Sequence, residues 1–198
     1  MVENIDRWVG IFVRELEKRG ELENTVIVYS SDHGEMLGDH GRWAKQVPYQ
    51  PSLCVPLVFA GPGVKPGVVN GAAVTTLDLP ATFLDYGGVP RPSDMDSLTL
   101  RPVLQGKVEK NRAFIASGLN DWRLTFDGRY KLIRGFDPDP RQRKPRRGGA
   151  GESRPERAGR ERMNQYQQVA DGPILLFDLE NDPLESVNLA TRSSRVQS

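Results

Sequence analysis

A run of β-branched residues ending in tyrosine, T-V-I-V-Y at Thr25–Tyr29, restricts the folds open to this chain more than any other segment. Because it is apolar at successive positions, both faces of a strand formed here would be apolar, as in a sheet covered by helices on each side. An amphipathic helix is predicted before it, since apolar residues recur every three or four positions from Val2 to Arg19 and Gly20 stands where a helix would stop. A helix followed by such a strand predicts an α/β layer.

Two further segments extend this layer. Leu53–Ala60 is a second apolar run, in which Pro56 indicates an edge or irregular strand. Thr75–Leu84 has the pattern of a capped helix with Pro80 in its first turn. We therefore predict that an α/β domain occupies residues 1–106.

The chain changes to short strand patterns after this domain. Asp127 and Gly128 form the signature of a hairpin turn, and residues 137–172 are rich in Arg, Pro, Gly and Glu, which predicts a mobile basic insertion. We therefore predict that residues 107–198 form a small antiparallel subdomain carrying this insertion. Its predicted strands are Ala113–Ala116, Trp122–Phe126, Tyr130–Arg134 and Pro173–Leu179.

Cysteine content and charge exclude several classes of protein. Cys54 is the single cysteine, so the chain has no internal disulfide framework and no Cys-rich zinc site, and its apolar surroundings predict a core residue. A formal net charge of +1 gives no overall attraction to nucleic acid or to a charged membrane surface. No segment approaches the roughly 20 apolar residues of a membrane helix, and the N-terminus lacks the pattern of a signal peptide. We expect no nucleic-acid partner and no membrane span, and the sequence does not specify an oligomeric state.

Both histidines of the chain fall in S-S-D-H-G-E-M-L-G-D-H-G, residues 30–41, directly after the first predicted strand. Asp32 and His33 would lie at the carboxyl end of that strand, where open α/β sheets bind ligands. A neighbouring carboxylate and imidazole can bind one cation if Gly34 lets the chain turn sharply, whereas Glu35 is predicted to be a surface residue. The alternative is a polar turn whose aspartate caps local amides, and the spacing alone leaves both interpretations open.

The longer segment S-S-D-H-G-E-M-L-G-D-H-G-R-W-A-K resembles the metal-binding segment of the sulfatase family, within the alkaline phosphatase superfamily. The likeness continues through V-P-L-V and the following P-G at Val55–Gly63 and D-L-x-x-T at Asp78–Thr82. G-R-Y-K-L-I at Gly128–Ile133, with L-F-D-L and D-P-L-E-S-V-N-L-A in Leu176–Ala190, resembles the family's C-terminal subdomain. The resemblance implies the C-terminal part of an alkaline-phosphatase-like α/β sandwich at 1–106, followed by the small antiparallel subdomain.

The resemblance also implies roles for residues of this segment. Asp32 and His33 correspond to two ligands of one divalent cation, usually Ca²⁺, although an imidazole where other members carry Asn leaves Mg²⁺ and Mn²⁺ as alternatives. Lys45 matches the lysine that contacts the sulfate group, where its charge would offset charge developing on the sulfuryl oxygens. His40 and Asp39 occupy the family's G-E-H-G position and would either orient a metal ligand or the substrate, or serve the structure alone.

The nucleophile that the resemblance implies is missing from this sequence. Sulfatases use a hydrated formylglycine made from the Cys or Ser of a C/S-x-P-x-R motif. Cys54 begins C-V-P-L-V, which lacks the arginine, and the matching S-R-P-E-R at Ser153–Arg157 is interpreted as chance because it lies in the predicted insertion. The family's early pair of aspartates is also absent. We expect formylglycine in a missing N-terminal part and predict that the chain is inactive alone.

The resulting hypothesis is a fragment of a hydrolase acting on the sulfate ester of a small molecule or glycan, with a periplasmic or secreted location implied by the resemblance. One alternative is a phosphonate or phosphate ester hydrolase of the same superfamily, because D-H-G alone does not separate the two reactions. The other is a non-catalytic polyanion-binding fragment, since residues 141–162 carry nine Arg or Lys against three Glu.

Overall fold

The structure, a computed structural model, describes residues 2–138 and 173–193. The predicted basic insertion at 137–172 lies almost entirely outside the described residues, and so does the segment 141–162. Within the described part of the chain, no helix is both long enough and apolar enough to cross a membrane.

The chain divides into two units. The first comprises Met1–Asp32 and Val55–Asn111, and the second comprises His33–Cys54 and Arg112–Ser198. The predicted domain division after residue 106 stays a prediction. The sequence pattern does not predict that the segment after Asp32 belongs to the second unit.

Helix α1 (Val2–Lys18) opens the first unit and confirms the predicted amphipathic helix. Glu3 lies in its first turn and Lys18 in its last, the distribution of charge that the helix dipole favours. Gly20 follows with a φ of +68°, a left-handed conformation in which glycine ends a helix at little cost. No side chain of α1 is buried by the described residues, and its apolar stripe is exposed at Trp8.

Strands β1 (Ile27–Ser30) and β2 (Leu57–Ala60) pair antiparallel, with Val28 opposite Phe59. The prediction of a strand buried on both faces is wrong for the described residues, where β1 is half-buried and Tyr29 is exposed. Within residues 2–138 and 173–193 the sheet has only β1 and β2, and strand pairing satisfies the backbone edge of β1 without covering its faces.

The second predicted strand begins later than expected because a short helix occupies its start. Helix α2 (Gln50–Leu53) has Pro51 in its first turn, where a missing N–H costs no helical hydrogen bond. Pro56 has no N–H to donate to a strand ladder, and β2 begins directly after it. Cys54 lies between these two elements and is exposed, so its prediction as a core residue is wrong.

Helix α3 (Leu79–Tyr86) confirms the predicted helix with Pro80 in its first turn. The side-chain cap lies one turn earlier than the start of α3, where the Thr75 hydroxyl accepts the Leu77 N–H. Asp78 and Thr82, from the D-L-x-x-T pattern, are fully buried. Their side-chain oxygens each accept a backbone N–H at 2.9 Å from the segment before α4 (Arg101–Leu104). This pattern is therefore structural, because it ties α3 to the chain that follows it.

The second unit is built on an antiparallel sheet in the order β3-β4-β5-β6. Between β4 and β5, Asp127 Oδ1 accepts the backbone N–H groups of Arg129 and Tyr130, and Gly128 has a φ of +107°, which confirms the predicted hairpin. The last described element is the short helix α5 (Ala190–Ser193). The strands are β3 (Ile115–Leu119), β4 (Trp122–Phe126), β5 (Tyr130–Arg134) and β6 (Ile174–Asp178).

The core of this unit includes two residues from the segment His33–Cys54. Met36 is 0% exposed and Tyr49 is 4% exposed, and both pack in one apolar cluster with the sheet. The burial of these two side chains fixes both ends of the histidine-containing loop onto the second unit. The other members of the cluster are Trp122, Leu124, Ile133, Phe136, Leu175 and Phe177.

Candidate active-site loop

Asp32 lies two residues past the end of β1, at the edge of the strand where the sequence predicted a ligand. Its side chain is exposed, and Ser31 Oγ lies 3.4 Å from its Oδ1. An exposed carboxylate at this position is a suitable ligand for a hard cation. The first unit ends at this residue, and His33 begins the next segment.

His33 is half-buried, and its Nδ1 lies 2.8 Å from the Gly34 carbonyl oxygen. Since a carbonyl accepts only, this contact selects the tautomer of a neutral imidazole with its proton on Nδ1 and its lone pair on Nε2. Gly34 is required by a close approach of two backbones, because a Cβ there would lie 1.9 Å from the Pro51 carbonyl oxygen. Its N–H also donates to Ser52 O at 2.9 Å, so this contact fixes the backbone that bears the imidazole.

Lys45 and His33 are brought together although they lie 12 positions apart. The Lys45 ammonium donates to His33 Nε2, the nitrogen that carries the lone pair. An imidazole nitrogen has one lone pair, so the ammonium and a cation cannot occupy Nε2 at the same time. The residues predicted to contact the metal and the sulfate group are therefore neighbours.

The backbone on either side of Lys45 adopts conformations that L-residues rarely take. Ala44 has a φ of 65° and Gln46 a φ of 132°. Such conformations cost about 1–3 kcal/mol each and persist only where surrounding contacts enforce them. Two side chains provide these contacts, and the sequence did not predict this role for either of them. Glu35 Oε1 accepts the Ala44 N–H at 2.5 Å, and Trp122 Nε1 donates to the Gln46 carbonyl at 3.1 Å.

His40 lies in a short turn, Asp39–Gly41, and its own φ is 53°. Its ring stacks on Tyr49 with 3.9 Å between ring centroids and an interplanar angle of 8°. Burial raises the pKa of the Tyr49 hydroxyl above its ordinary value. Asp39 and His40 also line a cavity of about 540 Å³ whose other walls include Pro51 and Pro183.

The described donors fit a metal site in part. The Asp32 carboxylate and His33 Nε2 are suitable ligands, and the hydrogen bond at His33 Nδ1 selects the tautomer that a cation at Nε2 needs. Among residues 2–138 and 173–193 no group of three or more His, Cys, Asp or Glu side chains is arranged to hold a cation. Because Ca²⁺ takes about six to eight oxygen ligands, two donors are only part of a site.

Comparison with known proteins supports one family. The model of the sulfatase family matches residues 1–89. An N-acetylglucosamine-6-O-sulfatase of Bacteroides thetaiotaomicron is 40% identical over 104 residues, which cover 52% of this chain and 19% of that protein. The extracellular sulfatase SULF-1 homolog of Drosophila melanogaster is 41% identical over 113 residues, covering 57% of this chain and 10% of that protein. The chain thus spans well under half the length of these relatives.

Solved structures show the same likeness over nearly the whole chain. A structure in complex with its substrate D-glucosamine-2-N,6-O-disulfate has a TM-score of 0.74 and 25% identity, and the match covers 99% of this chain and 36% of that one. A phosphonate monoester hydrolase from Silicibacter pomeroyi has a TM-score of 0.67 and 26% identity, covering 97% and 38%. These matches confirm the predicted fold class.

Proposed function

The chain belongs to the sulfatase family, and on that premise we propose that it forms the C-terminal part of an enzyme that hydrolyses sulfate esters. The observation that carries this proposal is the contact between the Lys45 ammonium and His33 within a loop whose backbone is fixed on both sides. A fixed cation beside the metal-ligand candidates is suited to hold a sulfate ester through its non-bridging oxygens.

Lys45 and His40 have different roles in this proposal. Lys45 binds the sulfate group and offsets the charge that develops on its oxygens as the ester bond breaks. A restrained backbone at Ala44 and Gln46 keeps the ammonium close to the site, which lowers the reorganisation that the reaction needs. His40 would orient neighbouring groups through its stacking on Tyr49 and would not touch the substrate.

Asp32 and His33 would hold one divalent cation, with Ca²⁺ as the first choice and Mg²⁺ or Mn²⁺ as alternatives. When bound, such a cation supplies Lewis-acid stabilisation of an oxyanion. The two residues orient their ligand atoms in different ways. Asp32 presents a solvated carboxylate after β1, and the His33 imidazole is oriented by its hydrogen bond to Gly34.

We expect removal of either ligand to weaken cation binding. Changes at a ligand or at the group that orients it cost about 10- to 100-fold or more in metal affinity, so Asp32→Ala and His33→Ala should each raise the dissociation constant for Ca²⁺ by at least that factor. Calorimetric titration of the enzyme expressed from its complete reading frame would measure this. Asp6→Ala, a substitution on exposed α1, is the control. Unchanged affinity in both ligand variants would remove these residues from the site.

The nucleophile in this proposal is a formylglycine outside these 198 residues. A chain without it should not hydrolyse an aryl sulfate above the rate of its own Lys45→Ala variant, whereas the product of the complete reading frame should. Release of 4-nitrophenol from the sulfate ester measures both. Turnover by the short chain that depends on Lys45 would show that the nucleophile lies within it.

A phosphonate ester hydrolase remains the second candidate, because the similar structures include phosphonate monoester hydrolases. The same cationic loop would hold a phosphonate, which also presents charged oxygens. Comparing kcat/KM for aryl sulfate and aryl phosphonate with the complete enzyme separates the two. A larger value for the phosphonate would replace the sulfatase proposal.

The named relatives support a proposal for the substrate class and the location. We propose a sulfated sugar as substrate, since one relative is an N-acetylglucosamine-6-O-sulfatase and a similar structure holds a sulfated glucosamine. We propose an exported enzyme, since another relative is named an extracellular sulfatase.

A further inference from the structure

We infer that Glu35 is a positioning residue for Lys45. The Glu35 carboxylate fixes the backbone N–H of Ala44 and thereby holds the Lys45 ammonium beside His33. This inference rests on the proposed function only for its catalytic consequence. The positioning itself is a property of the loop. The sequence predicts Glu35 only as a surface residue, and the side chain is exposed in the structure.

Both backbone polar groups of Ala44 are held by hydrogen bonds. Glu35 Oε1 accepts its N–H at 2.5 Å, and its carbonyl oxygen accepts the Met36 N–H at 3.0 Å. Met36 is 0% exposed, so this second contact starts from a residue that cannot move without opening the core. The carboxylate of Glu35 is the matching contact at the Ala44 N–H.

Position 45 needs this restraint because its neighbours are strained. Ala44 at a φ of 65° and Gln46 at a φ of 132° would relax to ordinary extended or helical values if released. Gln46 is restrained by Trp122, whose indole N–H donates to its carbonyl and whose ring is 5% exposed in the core. Ala44, the residue before Lys45, is restrained by Glu35 through its backbone N–H, so the two contacts together restrain the backbone on either side of the lysine.

Glu35 differs from the other restraints in being removable without damage to the core. Substitution of Met36 or Trp122 would leave a cavity and lower stability, which would obscure any effect on Lys45. Glu35 is exposed, so Glu35→Ala removes one acceptor and no apolar packing. Glu35→Gln is the conservative variant, because its amide oxygen can still accept the Ala44 N–H.

The kinetic test uses the enzyme expressed from its complete reading frame and an aryl sulfate. A displacement of about 1 Å in a catalytic group costs up to about a hundredfold in rate, so Glu35→Ala should lower kcat by about ten- to a hundredfold while changing KM less. Glu35→Gln should restore most of the loss. In a Lys45→Ala background, Glu35→Ala should cause no further loss, because Glu35 acts through the lysine.

The structural test uses hydrogen exchange of the 198-residue chain, followed by mass spectrometry of the peptide that contains Ala44. Glu35→Ala should speed exchange there and leave the β4–β5 hairpin unchanged, and Glu35→Gln should resemble the wild type. Equal exchange in Glu35→Ala and wild type overturns the inference, as does an additive loss in the double variant. An inactive wild-type enzyme with faster exchange in Glu35→Ala would reject the proposed function and keep the positioning role.

Discussion

We expect Glu185→Ala to destabilise the second unit by about 3–5 kcal/mol, the loss typical of removing one partner of a buried ion pair. A domain of this size is stable by about 5–15 kcal/mol, so the variant should be partly unfolded near room temperature or unfold in little denaturant. Urea unfolding followed by tryptophan fluorescence measures the change, because Trp122 lies in the core of this unit.

The reason lies in how completely the pair is buried. Lys131 is 1% exposed and Glu185 is 3% exposed, and their charged groups are in direct contact. Glu185 Oε2 also accepts the Gln50 N–H at 2.6 Å, and Lys131 Nζ donates to Gln50 Oε1 at 3.3 Å. Without the carboxylate, the ammonium and the first N–H of α2 both lose their acceptor where water cannot replace it.

The pH dependence of the stability of this variant distinguishes a buried ammonium without its carboxylate partner from a simple loss of packing. Burial lowers the pKa of Lys131, and the charge of Glu185 opposes that shift. Without Glu185, the folded-state pKa falls further below the value of about 10.4 expected in the unfolded chain. The unfolded state then binds more protons over that interval, so stability rises with pH. The difference in stability between wild type and Glu185→Ala should therefore become smaller as the pH rises towards about 10.

Two controls complete this experiment. Replacing both partners, with Lys131→Met and Glu185→Leu together, should recover much of the loss, because the burial cost of both charges disappears. Glu15→Ala removes the partner of Lys18 in an exposed ion pair and should change stability by no more than about 0.5 kcal/mol. A Glu185→Ala variant as stable as wild type would show that the pair is solvated in the folded protein.

Local signals in the sequence were sufficient for the elements of the fold. The periodicity of α1, the Asp127-Gly128 turn and the β-branched strands are each determined by a few neighbouring residues, and the structure contains all of them. The family resemblance identified Lys45 and His33 separately as candidate site residues. Their mutual contact could not be predicted, because it depends on left-handed residues that the turn rules assign to Gly and Asn rather than to Ala44 or Gln46.

Burial on β5 shows why the remaining contacts could not be predicted from the sequence. In Y-K-L-I-R the buried positions are Lys131 and Ile133, whereas the apolar Tyr130 and Leu132 are exposed. Hydropathy alternation would favour the opposite face, whereas the folded chain buries Lys131 in contact with Glu185 and Ile133 in the apolar core. A contact between charged residues from distant segments therefore cannot be predicted from local sequence patterns. The hydrogen bond from the Ala44 N–H to Glu35 could not be predicted either.

Lys45→Ala in the complete enzyme should lower kcat for an aryl sulfate by about 10²- to 10³-fold, the loss typical of removing one fixed group that stabilises transition-state charge. The ammonium lies beside His33, the candidate metal ligand, on a loop whose backbone is restrained on both sides. Lys45→Arg should recover only part of the rate, because the longer planar guanidinium cannot occupy the position of the ammonium at the same backbone geometry. Steady-state kinetics with 4-nitrophenyl sulfate measures both variants.

Cation binding separates the role of Lys45 from that of His33. Because the Lys45 ammonium donates to Nε2, its removal leaves the imidazole lone pair available and takes away a like charge. Lys45→Ala should therefore bind Ca²⁺ as tightly as wild type or more tightly while losing turnover, whereas His33→Ala loses both. Lys18→Ala, on the exposed end of α1, is the matched lysine control and should alter neither. Loss of Ca²⁺ affinity in Lys45→Ala would assign the lysine to the support of the metal site rather than to the sulfate group.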